Sequence, residues 1–98
     1  MSKDRIPVSS IHPGKTILED YLTPLGIKPE KLAKTTHIKK KKIKKIIRGE
    51  KRISRDTALR LGIVFRTSPE FWLNLQQHYD LEVVKRRIKP LVKKNPDF

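Results

Sequence analysis

The chain contains no cysteine. Disulfides, thiolate metal sites and a cysteine nucleophile are excluded at once, and the composition fits a reducing compartment, the cytoplasm. Aromatic residues make up only 6% of the 98 residues, with a single tryptophan, Trp72. A core this small has to use each large side chain it has. No run approaches the ~18 apolar residues that span a bilayer, and the opening MSKDRIPVSS lacks the apolar stretch of a secretion signal. No membrane partner is expected. The phosphate-cradling GxxxxGKS/T, the nucleophile-elbow GxSxG and the zinc-binding HExxH are missing. His12, His37 and His78 are scattered, with no carboxylate at metal-ligand spacing. Glu19 and Asp20 are neighbours on a helix, so their side chains diverge by about 100° and cannot share a substrate. Neither a metal, a cofactor nor an enzymatic activity is expected.

Carboxylates are also scarce: ten Asp and Glu stand against 24 Lys and Arg, for a net charge of +14. The excess is localised. Residues 1–27 hold three basic and three acidic residues, residues 67–98 six and four, and residues 28–66 fifteen and three. A chain basic merely for solubility would spread its charge, whereas one concentrated stretch is the footprint of a surface that meets phosphates.

Helical signals fill the chain. His12-Pro13-Gly14 opens a helix with proline at its first position; Ile17, Leu18, Tyr21, Leu22 and Leu25 give it an apolar face, and Pro24 with Gly26 closes it. Pro29 restarts a helix, with Leu32 and Ala33 inward before Thr35-Thr36. Ile43, Ile46 and Ile47 form the stripe of a third, which ends at Arg48 with Gly49 just beyond. Ser54 caps a fourth whose inward residues are Ala58, Leu59, Leu61 and Phe65, and Asp56 suits its positive end. Ser68-Pro69 starts a fifth, with Phe71, Trp72, Leu75 and Tyr79, and a last amphipathic stretch runs from Leu81 to Ile88, before Pro90. No polar–apolar alternation indicates strands, so five or six short helices make an all-α domain. Phe71, Trp72 and Leu75 either fill the core against the first helix or form part of a dimer seam; a domain this small favours the core.

From Lys39 the chain reads KKKKIKKIIRG. At 100° per residue the three isoleucines share one face, and Lys40, Lys41, Lys44, Lys45 and Arg48 occupy the remaining arc. Six like-charge pairs at three- and four-residue spacing destabilise the isolated helix by about 1–3 kcal/mol in all. A disordered polybasic segment would have no reason to place isoleucines at helical spacing. The helix is therefore anchored on one side and cationic on the other.

Leu32-Ala33, a turn at Thr36-His37-Ile38, then Ile43 and Ile46 is the spacing of a helix-turn-helix, in which the second helix enters the DNA major groove and presents its early residues to base edges. Lys40, Lys41, Lys44 and Lys45 are the expected groove-facing residues. Lys39 and Arg48, with Lys51, Arg52 and Arg55 beyond the helix, are the expected phosphate contacts.

HPGKTILEDYLTPLG, LAK, IIRGEKRIS, TALRLG and TSPEFWLNLQ, in this order over about His12 to Asp80, resemble the HigA-type antitoxins, also called virulence-associated protein I, of the Cro/C1 repressor class. The resemblance implies a lambda-repressor-like five-helix domain with a C-terminal helical extension. It implies a homodimer that binds a double-stranded DNA operator, represses its own operon and neutralises a ribonuclease toxin encoded beside it. The resulting division is a flexible arm over 1–11, the DNA-binding domain over 12–80, and a C-terminal helix with a frayed tail over 81–98. Two features depart from the family pattern: Lys28-Pro29 replaces the usual Ser-Gln at the start of the second helix, and His37 replaces the usual turn glycine. The third helix is also all lysine where relatives mix Arg, Asn, Ser and Gln, which implies salt-sensitive binding with reduced sequence discrimination. The alternative is an orphan regulator or a weakly specific nucleic-acid-binding protein without a toxin partner. A small basic ribonuclease is a third class, disfavoured by the lack of strands and of a His/Glu/Arg cluster.

Overall fold

Prolines and serines set where four of the helices start. Pro13, Pro29 and Pro69 each stand in the first turn of a helix, where a missing N–H leaves nothing unpaired. The Ser54 and Ser68 hydroxyls accept the amides of Thr57 and Phe71 at 3.2 and 3.1 Å. The computed structural model describes residues 11–94 and 97, so the expected arm, apart from Ile11, and residues 95, 96 and 98 of the expected tail lie outside the described residues. Five helices result: α1 over residues 13–25, α2 Pro29–Thr36, α3 Lys40–Ile47, α4 Arg55–Phe65 and α5 Pro69–Ile88, with no strand among the described residues.

Two expectations about helix boundaries are corrected. Pro24 does not help to end α1. The helix widens to π geometry over Ile17–Leu22, where the Thr23 amide donates to the Leu18 carbonyl five residues back, and the chain continues helically through Thr23–Leu25. Pro24 has no N–H to pair and so is accommodated beside the widened turn. Gly26, at φ 66°, closes the helix, and Ile27 N–H donates to the Leu22 carbonyl at 2.8 Å. The separate last stretch from Leu81 to Ile88 is likewise absent as an element of its own. α5 runs unbroken for 20 residues, about 30 Å, because neither glycine nor proline interrupts it and Lys85 reaches back to Glu82.

The core draws on all five helices and is built on Ile17, Leu22, Leu32, Ile43, Ile46, Leu61 and Trp72. Trp72 is 0% exposed, its ring lies 5.4 Å from Tyr21 and 6.0 Å from Phe65, and its indole N–H donates to Thr67 Oγ1 at 2.7 Å. Of the two roles open to Trp72, core or dimer seam, its burial supports the core, the one the small size of the domain favours. Leu75 is half-buried against the same core, and Phe71 stacks edge-on to Trp72 at the surface. Leu59 was expected inward but is 53% exposed; Thr57 and Gly62 take the inward positions on α4. Leu18 and Leu25 are also turned outward.

Of the four glycines, Gly14 makes the closest approach to a neighbouring helix. A Cβ there would overlap the Ile46 carbonyl oxygen and stand 2.9 Å from Ile47 Cα, so the start of α1 sits directly on the backbone of α3. Gly14→Ala is expected to destabilise the domain by about 3 kcal/mol, at the upper end for overpacking because backbone meets backbone. Urea titration checks this.

His12 caps the same helix start. Its Nδ1 accepts the Gly14 amide at 2.9 Å, and its ring packs edge-on against Tyr79 at 4.9 Å. Burial lowers its pKa from the ordinary 6.5, only partly offset by Asp80 and the Lys51 backbone. Below 6.5 the unfolded chain binds the proton that the folded chain refuses, so stability is full above that value and declines as pH falls through the folded pKa. The lowered carboxylates Glu30, Glu50 and Asp80 act with the same sign at lower pH: their contribution is full above the ordinary carboxylate range and is lost as pH falls below it. His12→Ala is expected to cost about 1 kcal/mol at pH 8 and to abolish the loss of melting temperature just below pH 6.5. Calorimetry across pH on both proteins measures it.

Candidate nucleic-acid interface

α2 and α3 are joined by a turn centred on His37, which ends α2 in the left-handed region at φ 59°. A non-glycine residue there is strained, and the strain is offset by local bonds. Ile38 N–H donates to the Ala33 carbonyl at 3.1 Å, and Ile38 is buried. From α4, the Arg60 guanidinium donates to the Thr36 carbonyl at 2.9 Å and also pairs with Asp56. Thr36 is itself buried, its hydroxyl donating to the Leu32 carbonyl. The end of α2 and the turn that follows are thus held by Thr36 and Ile38, and by Arg60 of α4 behind them.

α3 has no side-chain cap at Lys39 and no acidic residue in its first turn. What holds it is burial: Ile43 and Ile46 are 1% and 0% exposed. The C-terminal end is closed by Gly49 and Glu50 amides donating to the Ile46 and Lys45 carbonyls at 2.9 and 2.8 Å. Lys39, Lys40, Lys41 and Lys45 are exposed, with no ion pair among the described residues; Lys44 is half-buried. Its ammonium lies 3.1 Å from Glu30 in the first turn of α2. The Glu30 carboxyl is held below its usual range by its own backbone amide and then by Lys44.

The loop after α3 carries the remaining basic residues. Arg48 forms a two-bond pair with Glu50 at 3.0 and 3.2 Å, which raises the guanidinium pKa and lowers that of the carboxyl. Arg52 donates to Asp80 on α5 at 2.7 Å. Burial pushes the Asp80 carboxyl up, but Arg52 and Gln76 more than offset this and hold it low. Gln76 is buried; its carbonyl accepts the Ile53 amide at 2.7 Å while its amide donates to Asp80 at 2.9 Å. Lys51 and Arg55 are exposed and unpaired among the described residues. All nine basic residues expected from the sequence therefore lie on one continuous stretch, 39–55, whose backbone is tied to α1, α4 and α5.

Sequence reading missed the side chains that do the tying. Glu30, Arg60, Gln76 and Asp80 were not singled out, although Asp56–Arg60 and Gln76–Asp80 are four-residue helical pairs and readable as such. Their partners in α2, α3 and the loop carry no local signal. Among the described residues no group of acidic, histidine or cysteine side chains could hold a metal ion, and no helix is long and apolar enough to cross a membrane.

No family model matches the chain. Individual relatives do. Virulence-associated protein I of Dichelobacter nodosus is 39% identical over 84 residues, 86% of this chain and 76% of that protein. Antitoxin HigA-1 of Vibrio cholerae is 30% identical over 94 residues, covering 89% and 86%. Among solved structures, the Pseudomonas aeruginosa antitoxin HigA with the higBA promoter superposes at a TM-score of 0.82, with 32% identity over 89% of this chain and 97% of that one. Antitoxin GraA in complex with its operator gives 0.76, with 34% identity over 87% and 90%. The five-helix architecture and the graded sequence identity over nearly the whole described chain agree: this protein belongs to the HigA and virulence-associated protein I family of helix-turn-helix proteins.

Proposed function

We propose that the chain is a sequence-specific DNA-binding repressor in which α3 occupies the major groove. The observation that carries this is the two-sided character of α3: Ile43 and Ile46 are sealed into the core while Lys40, Lys41 and Lys45 are exposed, with no ion pair among the described residues. A helix with side chains is about 10–12 Å across and fits a groove about 12 Å wide. Lys39, Lys51 and Arg55, with Arg48 and Arg52 once released from Glu50 and Asp80, serve as the phosphate contacts. Solvent-exposed ion pairs are worth about 0–1 kcal/mol, so exchange of a carboxylate for a phosphate is inexpensive. The solved relatives with promoter or operator DNA support DNA as the partner.

A repressor of this kind works as a symmetric pair, with two copies reading half-sites about one helical turn apart. With Trp72 in the core, the side offered for pairing is the outer half of α5, where exposed Leu81 and Ile88 flank half-buried Val84 in a stripe that no other element among the described residues covers. The protein acts by binding rather than catalysis, in the cytoplasm where the operon lies. Titration against the duplex upstream of its own gene is expected to give two chains per duplex. With about six phosphates neutralised, log K should fall with log salt at a slope near −5. An operator advantage over random duplex of only a few-fold would sink the repressor reading and leave the weakly specific alternative.

Family membership also supports the antitoxin role: binding and silencing of a ribonuclease toxin encoded in the same operon. Growth arrest caused by the toxin from the adjacent reading frame is expected to be relieved by co-expression of this chain. Persistence of arrest with both proteins present would leave an orphan regulator.

A further inference from the structure

The polar side chains of α3 are chemically uniform, and the fold removes the neighbours that could have varied them. Between Lys40 and Ile47 the helix reads KKKIKKII, so every polar side chain on it is an ammonium that donates and cannot accept. Of the two carboxylates that pair with this segment, Glu30 is engaged by Lys44 at 3.1 Å, while Glu50 lies beyond the end of the helix and pairs with Arg48 at 3.0 Å in the free protein. The burial of Ile43 and Ile46 also selects which lysines point outward. At 100° per residue Lys41 and Lys45 lie roughly opposite the buried stripe. Lys44 turns toward α2, and Lys42 is half-buried beside the core.

Resting on the DNA-binding reading above, we infer that the protein reads guanine, through Lys41 and Lys45, and that each half-site carries two guanines on one strand within about two base-pair steps. The major-groove edge of guanine offers two adjacent acceptors, N7 and O6, which an ammonium can bridge. Adenine sets an amino donor beside its N7, cytosine presents only an amino donor, and thymine sets a methyl beside its one acceptor. A surface with donors only leaves the amino groups of adenine and cytosine unpaired. The cytosine amino group accompanies every guanine, so the discrimination lies in guanine's two adjacent acceptors, against the single, isolated acceptors that an A·T pair offers. The spacing fits as well. Lys41 and Lys45 are one helical turn apart, about 6 Å along the axis, and two base steps rise about 6.8 Å along a strand.

Selection of binding duplexes from a random pool is expected to enrich guanines at that spacing in both half-sites. Replacing those guanines with 7-deazaguanine, which lacks N7, should weaken binding on the order of tenfold each. Inosine keeps N7 and O6 and should bind like guanine. In Lys45→Gln, whose amide can pair with adenine N6 and N7, the preference at one position should move from guanine to adenine. Helical circular dichroism checks that the variant is folded; should it not fold, the 7-deazaguanine comparison on the unaltered protein decides alone. Equal affinity for guanine and 7-deazaguanine duplexes, or enrichment of A/T sequences under α3, overturns guanine readout while DNA binding stands. Failure to bind any duplex overturns both.

Discussion

The burial of Ile43 and Ile46 is the interaction on which everything else rests. α3 is short, lacks a side-chain cap and carries a dense row of like charges. Left alone it would not form, since short helices are marginal even without repulsion of about 1–3 kcal/mol. Two fully buried isoleucines contribute about 1.5–3 kcal/mol each, enough to reverse that balance. Gly14 is the complementary half of the arrangement. Its missing side chain lets the start of α1 rest on the α3 backbone, so the isoleucines reach the core without a gap. His12, capping α1 at the same place, couples that contact to the loop after α3 and to Tyr79 on α5.

Fixing the buried side of a helix fixes its exposed side. The lysines need no partner to be oriented, because the isoleucines between them already are. Around them, three carboxylates restrain three basic side chains: Glu30 with Lys44, Glu50 with Arg48 and Asp80 with Arg52. These exposed pairs are weak enough to exchange with phosphate and strong enough to bias where the cations sit. Gln76 is different in kind, being buried. It holds the Ile53 amide, so the loop that carries Lys51 and Arg52 is placed by the interior rather than by its own conformation.

Much of this was visible in the sequence. Helix starts at Pro13, Pro29, Ser54 and Ser68, the glycine after α3 and the two-faced lysine helix all depend on residues within one turn of each other. Periodicity and capping report such local relations directly. The errors have a common origin. Leu59 and Leu25 fit an apolar stripe locally but face solvent, because which side of a helix is covered depends on the helices beside it. Pro24 reads as a terminator, yet the widened turn ahead of it absorbs its missing donor. Trp72 left two readings open, and only its neighbours Tyr21, Phe65 and Thr67 could choose between them.

By itself, then, the sequence determined that the chain is helical, where most of its helices begin, and that one of them is cationic on one side and apolar on the other. The tertiary structure alone decided which lysines are exposed, which basic groups are restrained, and that α5 continues past Asp80 as one helix. The reason is range. Capping and periodicity act over three or four residues, while the bonds that place the interface join residues 23 and 28 positions apart, Ile53 to Gln76 and Arg52 to Asp80. Such pairings have no signature along the chain until folding brings their ends together.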